Sequence, residues 1–153
     1  MKKVCMIASC GGHLEQLRQL TAVSRRYDCF YVVPDTHSTR QMAEKRYLVL
    51  DLVRKNRLRM TLRMARMFVQ QLGIFWREKP QVILTTGAAV AIPMCVIGKW
   101  MGAKVIYIES FARIHTPNRT GQLLYRFADL FVIQWEQLRK YYPKAVYGGS
   151  IYG

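Results

Sequence analysis

Val4-Cys5-Met6-Ile7-Ala8-Ser9-Cys10-Gly11-Gly12-His13-Leu14-Glu15-Gln16-Leu17 begins as an apolar run, breaks at two glycines and resumes with Leu14, Leu17 and Leu20 on one helical side. The unbroken run predicts a strand buried on both faces, as in a parallel sheet. A first strand passing through a glycine turn into a helix is how nucleotide- and phosphate-binding α/β domains open. Glycines let backbone N–H groups approach an anion, and the helix N-terminus adds a partial positive charge. The same Gly-Gly pair also serves as a plain tight turn, so it does not by itself identify a ligand.

Outward from this stretch, strands and helices alternate. The first strand covers about Lys3 to Ala8, with a helix from His13 to Arg25. Asp28 to Val33 predicts a second strand, stopped by Pro34-Asp35, and Tyr47 to Leu52 a third. Gln81 to Leu84 predicts the fourth. Thr85-Thr86-Gly87-Ala88 then repeats the opening design, a small-residue turn into a helix reaching Met101. That helix is apolar almost all round, so it is either buried between layers or adds to an apolar surface. Lys104 to Ile108, Leu130 to Ile133 and Lys144 to Tyr147 predict further strands, separated by helices over Arg119–Phe127 and Gln134–Tyr141. Such alternation implies parallel pairing and a three-layer, Rossmann-like α/β fold. With 153 residues and no repeat or linker, residues 1–153 are expected to form one domain.

The charge is the outlier. Twenty-four basic and nine acidic residues give a net charge of +15, which calls for an anionic partner: nucleic acid, an acidic membrane surface or a phosphorylated substrate. The four cysteines (Cys5, Cys10, Cys29, Cys95) show no CxxC pair and no metal-like spacing to the histidines, so no metal is expected. A reducing cytoplasm is the simplest compartment. Met1-Lys2-Lys3 before Ile7-Ala8-Ser9-Cys10 imitates a lipoprotein signal, but the apolar stretch is shorter than the roughly 7–15 residues that export requires. No run reaches the roughly 20 apolar residues of a membrane span, so any membrane contact is expected at the surface.

Asn56 is placed to cap a long helix from Arg57 to about Arg77, ended by Lys79-Pro80. On a helical wheel Arg59, Arg63, Arg66, Gln70 and Arg77 form one narrow stripe, while apolar residues, among them Phe68, Leu72, Phe75 and Trp76, cover most of the remainder. From Arg54 to Lys79 there are eight basic residues against Glu78 alone. An apolar arc this wide exceeds what one sheet face needs. It fits a helix partly sunk in an anionic bilayer interface or a partner protein. It also fits a core helix with a solvated arginine stripe and a generous inner face.

Three polar or glycine clusters fall where strands leave the sheet: Gly11-Gly12-His13 with Glu15, Thr85-Thr86-Gly87, and Glu109-Ser110 with Arg113. In a parallel sheet these carboxyl ends share one edge and can converge in one crevice. The combination suits binding a diphosphate while a hydroxyl is oriented or deprotonated. His13 titrates in the right range for a base, though a histidine at a helix start also serves as a cap or anion ligand. Glu109 suits either catalysis or pairing with Arg113. His37 and His115 lie in polar loops and are expected to be bystanders. Asp35, about 20 residues past the turn, sits where dehydrogenases hold a ribose hydroxyl, but the GxGxxG spacing is missing. GxxxxGK[ST] is missing too, so no nucleotide cofactor is expected. No helix-turn-helix, RNP-type or zinc-finger pattern accompanies the charge, which argues against nucleic acid.

Ser9-Cys10-Gly11-Gly12-His13-Leu14, Thr86-Gly87, Ile108-Glu109-Ser110-Phe111-Ala112-Arg113 and Tyr147-Gly148-Gly149-Ser150-Ile151, in that order, resemble the PssD/CpsF family of bacterial capsule and exopolysaccharide biosynthesis. That family is related to the membrane-anchoring subunit of the eukaryotic enzyme that adds the second GlcNAc to dolichol diphosphate-GlcNAc. The resemblance implies one half of a GT-B glycosyltransferase, similar to the acceptor domain of MurG. A separate donor-binding chain would supply the UDP-sugar site. The pair would transfer a sugar to a polyprenyl-diphosphate-linked sugar at the cytoplasmic membrane face. Under this reading Gly11, Gly12, Thr86, Gly87, Ser110 and Arg113 line the acceptor site, with His13 and Glu109 catalytic. Arg59, Arg63, Arg66, Phe68, Leu72, Phe75 and Trp76 meet the membrane, replacing the N-terminal helix of the eukaryotic relative. Gly148, Gly149, Ser150 and Ile151 meet the partner. The rival reading is a non-catalytic scaffold that recruits and activates that partner.

Overall fold

The computed structural model describes residues 1–52 and 56–153; Arg54 and Lys55, counted above in the basic segment, lie outside them. Among the described residues, β1 (Lys3–Ala8), β2 (Asp28–Pro34), β3 (Arg46–Val49), β4 (Val82–Gly87), β5 (Lys104–Ile108), β6 (Leu130–Ile133) and β7 (Val146–Tyr147) form one sheet. Its order is β3-β2-β1-β4-β5-β6-β7 and every pair is parallel. The chain winds outward from β1 to β3, then crosses to β4 on the other side of β1. That reversal opens a crevice beyond the carboxyl ends of β1 and β4, where sheets of this type take their ligands.

The apolar run of β1 is unbroken because both of its faces are covered. Val4, Met6 and Ala8 pack with Leu14 and Leu17 of α1 (Gly12–Gln19) and with Leu20 and Val23 beside and within α2 (Thr21–Arg26). Cys5 and Ile7 point to the opposite face, into a core with Met67 and Phe75 of α4 (Arg57–Glu78), Met94 of α5 (Ala91–Trp100) and Leu124 of α6 (Arg119–Leu124). The short α3 (His37–Arg40) links β2 to β3. The expected three-layer, Rossmann-like α/β arrangement is present, and α5 takes the buried alternative, with only its end exposed at Trp100 and Met101.

Several boundaries move, each for a local reason. The expected helix over His13–Arg25 breaks at Leu20, whose ψ of 49° leaves the helical region and splits it into α1 and α2. β3 stops at Val49 rather than Leu52 because its partner β2 ends there, with Pro34 opposite Val49. β4 runs on through Thr85-Thr86-Gly87, since Thr85 pairs with Ile7 and Gly87 with Ala8. The turn therefore falls later, at Ala88 (φ 75°), and α5 begins only at Ala91. The segment expected as a helix from Gln134 is a 3₁₀ turn over Glu136–Lys140.

α4 keeps its expected limits. The Asn56 side chain accepts from the N–H of Leu58 at 2.9 Å, and Lys79 ends the helix in the left-handed region before Pro80. Met67, Gln71, Ile74, Phe75 and Glu78 face the core. At about 100° per residue, the opposite side of the helix carries Leu58, Leu62, Ala65, Val69, Leu72 and Trp76, all exposed. Their alternating steps of four and three draw a straight apolar seam along most of the helix. Arg59, Arg66 and Arg77 run beside it and are also exposed, while Arg63 is half-buried. Gln70 of the same stripe bonds the main chain of Leu48 and Leu50 at the β3 edge. One expected surface residue is corrected: Phe75 is buried in the core, and Phe68 packs against that core from the flank. Phe75 lies on the sheet side of the wheel and Phe68 on the flank between sheet and seam.

Candidate functional site

The crevice is built on a reciprocal contact between β1's turn and β4's end. Nδ1 of His13 lies 2.9 Å from the carbonyl oxygen of Thr86, and the Thr86 hydroxyl donates to the His13 carbonyl at 2.6 Å. A carbonyl oxygen only accepts, so Nδ1 carries the proton and Nε2 of the neutral ring is a free lone pair. Burial lowers the His13 pKa; the Thr86 carbonyl and Glu109 oppose that shift, and Arg113 reinforces it. Burial thus favours the neutral ring, whose Nε2 can accept a proton.

Gly87 makes the contact possible. Its φ is +120°, and a Cβ there would stand 2.9 Å from the Tyr107 hydroxyl and 3.3 Å from Cε1 of His13. Gly11 (φ +81°) and Gly12 differ in kind, for a Cβ on either meets nothing within 4 Å. Both are exposed, and no side chain caps the first turn of α1. Exposed and without a side-chain cap, this helix start can offer its N–H groups to an anion.

The third cluster turns inward. Glu109 is completely buried, and its carboxylate accepts four hydrogen bonds. Oε1 takes the N–H of Ser110 (3.0 Å) and the Tyr107 hydroxyl (3.3 Å); Oε2 takes the Tyr142 hydroxyl (2.8 Å) and the N–H of Asn118 (3.1 Å). Burial, and next to it the Glu109 charge, raises the pKa of both tyrosines. Gly121 of α6 leaves room for this knot, since a Cβ there would lie 2.6 Å from Oε2. The Ser110 side chain is also buried, with its hydroxyl 3.4 Å from Nε2 of Gln16. Thr86 is fully buried, whereas Arg113 is exposed. His13, Thr86 and Gly87 are thus in mutual contact, while Glu109 and Ser110 brace the neighbouring strand from inside.

Two residues escaped the sequence reading. Gln16, buried one turn after His13, accepts the N–H of Phe111 (3.0 Å) and the amide of Gln134 (3.0 Å). Gln134 also donates to the Glu109 carbonyl (2.9 Å), and its own oxygen accepts the N–H of Ile151 (2.8 Å). A buried amide lattice therefore joins α1, the end of β5 and the C-terminal Gly148-Gly149-Ser150-Ile151 segment. Gln134 had a readable signal, as the polar residue that ends an apolar strand. Gln16 had none, because glutamine is an ordinary helix former. In that segment Gly149 has a φ of +72°, and Gly148 is pressed against Val132, which a Cβ would approach to 2.8 Å.

Elsewhere, His37 and His115 are exposed and apart from the crevice contacts, and Asp35 is ion-paired with Arg40. Among the described residues no helix is long and apolar enough to cross a membrane.

A family model described as "Oligosaccharide biosynthesis protein Alg14 like" matches residues 4–151. The human UDP-N-acetylglucosamine transferase subunit ALG14 is 35% identical over 81 residues, covering 49% of this chain and 38% of that protein. The Schizosaccharomyces pombe subunit of the same name is 36% identical over 85 residues, 51% of this chain and 40% of its own. The matches thus span well under half the length of these curated relatives. Among solved structures, MurG of Acinetobacter baumannii superposes with a TM-score of 0.74 at 17% identity, over 90% of this chain and 43% of that one. A Staphylococcus aureus MnaA–UDP complex gives 0.73 at 18% identity, over 99% and 44%. At these identities the likeness is one of fold, that of one half of a GT-B architecture.

Proposed function

Because this chain belongs to the Alg14-like family of oligosaccharide biosynthesis proteins, we propose that it is the acceptor-binding, membrane-associating subunit of a two-chain glycosyltransferase. The reaction would move a sugar from a UDP-sugar to a polyprenyl-diphosphate-linked sugar at the cytoplasmic face of the membrane, in cell-surface polysaccharide biosynthesis of the PssD/CpsF kind. The observation that carries this reading is the neutral His13 ring, held by Thr86 with Nε2 free beside an open diglycine turn.

In this reading the Gly11–Gly12 N–H groups and exposed Arg113 hold the acceptor diphosphate. Nε2 of His13 takes the proton of the acceptor hydroxyl as that oxygen bonds to the anomeric carbon of the donor sugar. The bond from that carbon to the nucleotide diphosphate breaks, and UDP leaves with the electron pair. Thr86 and Gly87 are positioning residues that fix the tautomer and approach of His13. Glu109 and Ser110, spent on internal bonds, hold the β5 end in place rather than touch substrate. The donor site lies on the partner, which docks at Gly148-Gly149-Ser150-Ile151. The exposed seam of α4, with Leu72, Trp76 and its flanking arginines, rests on an anionic bilayer.

His13→Ala, reconstituted with the donor-binding chain, is expected to abolish transfer while leaving pair formation intact. Undiminished turnover would overturn the catalytic assignment. Basal transfer by the partner alone, stimulated equally by wild type and His13→Ala, would instead support the scaffold reading, which the internal commitment of Glu109 and Ser110 also suits.

A further inference from the structure

α4 presents four different sides. The core side and the exposed apolar seam are opposite one another, and the arginine stripe lies a quarter turn to one side of the seam. A quarter turn to the other side, Arg57, Met60, Thr61, Met64 and Phe68 line a groove of about 990 Å³. Its far wall is the turn after β4, Ala88-Ala89-Val90, with Arg119 at the start of α6 completing it. The size is at the upper end for small-molecule sites.

Three observations bear on the occupant. The groove wall is apolar along Met60, Met64, Phe68 and Val90, so it rewards a hydrocarbon rather than a sugar or base. Arg57 and Arg119 are exposed and make no ion pair among the described residues, although Asp51 also reaches the rim. Two free guanidinium groups suit a diphosphate, which each can grip through two parallel N–H bonds. The groove is also continuous with two surfaces already described. Ala65 belongs both to its lining and to the exposed seam, and Ala88 directly follows Gly87, the residue packed on His13.

We propose that this groove binds the first isoprene units of a polyprenyl diphosphate, with Arg57 and Arg119 at its mouth reinforcing the grip of the Gly11–Gly12 turn and Arg113 on its phosphates. The inference rests on the acceptor reading above and adds the place of the lipid. An amphiphile with an anionic head and an apolar tail matches both kinds of lining, whereas a nucleotide matches only the arginines. The chain would pass from the bilayer across Ala65 into the groove, and its head would end at the turn that carries Gly87.

The test uses the full chain and soluble probes, with affinity read by calorimetry for farnesyl diphosphate, farnesol, inorganic pyrophosphate and UDP. Farnesyl diphosphate is expected to bind at least about tenfold tighter than any of the other three, since only it uses both linings. Met64→Trp, which fills the groove, is expected to weaken it by about tenfold or more. Thr61→Trp places the same bulk from an exposed position and serves if Met64→Trp fails to fold. Arg57→Ala with Arg119→Ala is expected to weaken farnesyl diphosphate by about tenfold and to leave farnesol unchanged. Pyrophosphate or UDP binding as tightly as farnesyl diphosphate, or an affinity unmoved by folded groove variants, overturns the proposal. The two readings fail separately. If the groove is wrong, these affinities stay flat while transfer remains dependent on His13. If the transferase reading is wrong, no transfer depends on His13 while the groove still discriminates among the probes.

Discussion

His13 and Thr86, 73 positions apart in sequence, hold each other through two hydrogen bonds, ring to carbonyl and hydroxyl to carbonyl. The pair bridges the two strands between which the sheet order reverses, so the imidazole orientation is set by the fold rather than by its own loop. One consequence is a specific acid limit. Burial holds the His13 pKa below its ordinary 6.5, so protonation of Nε2 is expected only in more acidic solution. Transfer by the reconstituted pair should rise with pH through a limb centred below 6.5 and stay flat above it. A limb centred above 6.5 in kcat/KM would remove His13 as the base.

The glycines divide into two classes that mutation can separate. Gly87→Ala forces a side chain into the left-handed half of the map and against Tyr107 and His13, and is expected to cost about 1–3 kcal/mol of stability along with activity. Gly12→Ala meets open space at a helix start, so denaturant unfolding should change by less than about 1 kcal/mol. Its methyl group nevertheless occupies the anion's approach, and KM for the acceptor should rise. Equal stability losses in the two variants would contradict this division.

Two residues on different sides of α4 should respond in opposite ways. Phe75→Ala empties part of the core and is expected to cost about 3–5 kcal/mol. Val69→Glu, at a position 72% exposed in the middle of the seam, should leave stability within about 0.5 kcal/mol. The same change should sharply reduce sedimentation with vesicles containing anionic lipid. Retained vesicle binding by folded Val69→Glu would show that the seam does not meet lipid.

Glu78 predicts how the protein responds to acid. Burial alone raises its carboxyl pKa, but Lys45, Tyr47 and Lys3 outweigh that and hold it down to about 2. A folded-state pKa below the unfolded one gives stability that is present above about pH 4.5 and lost as pH falls toward 2. Thermal unfolding midpoints should therefore drop across that window. Glu78→Gln should be less stable at neutral pH and flatter below pH 4.5. A wild-type midpoint unchanged from pH 5 to 2 would refute the linkage.

Much of this was legible because short-range patterns carried it. The opening stretch gives a doubly covered strand, a glycine turn and an amphipathic helix from local chemistry alone, and the alternation of such units dictates a parallel sheet. The wide apolar arc of α4 was equally plain, and so was the placement of three clusters at strand ends. The direction of side chains within those clusters was not legible. Glu109 turns inward because Tyr107, Tyr142 and Gly121 make a pocket for it, and those partners are set by packing, with Tyr142 33 positions away. The wheel likewise shows that α4 is apolar nearly all round, without saying which arc meets the sheet. Phe75 and Trp76 are adjacent in sequence, and only the sheet decides that the first is core and the second exposed.

The exposed seam runs from Leu58 to Trp76, most of the 22-residue α4 and roughly 27 Å long. α4 lies along the sheet, its first turn level with the strand tips that carry Gly87 and its last beside the strand starts. A protein resting on this seam would recline with its strands parallel to the bilayer plane. Its crevice would then open sideways, at the height of the lipid headgroups, rather than down into the membrane or up into solvent. A lipid-linked sugar diffusing in the leaflet would reach the His13 ring by lateral approach, without its diphosphate leaving the headgroup layer. The opposite, solvent-facing side of the molecule would remain free for a second chain to deliver the nucleotide sugar from above.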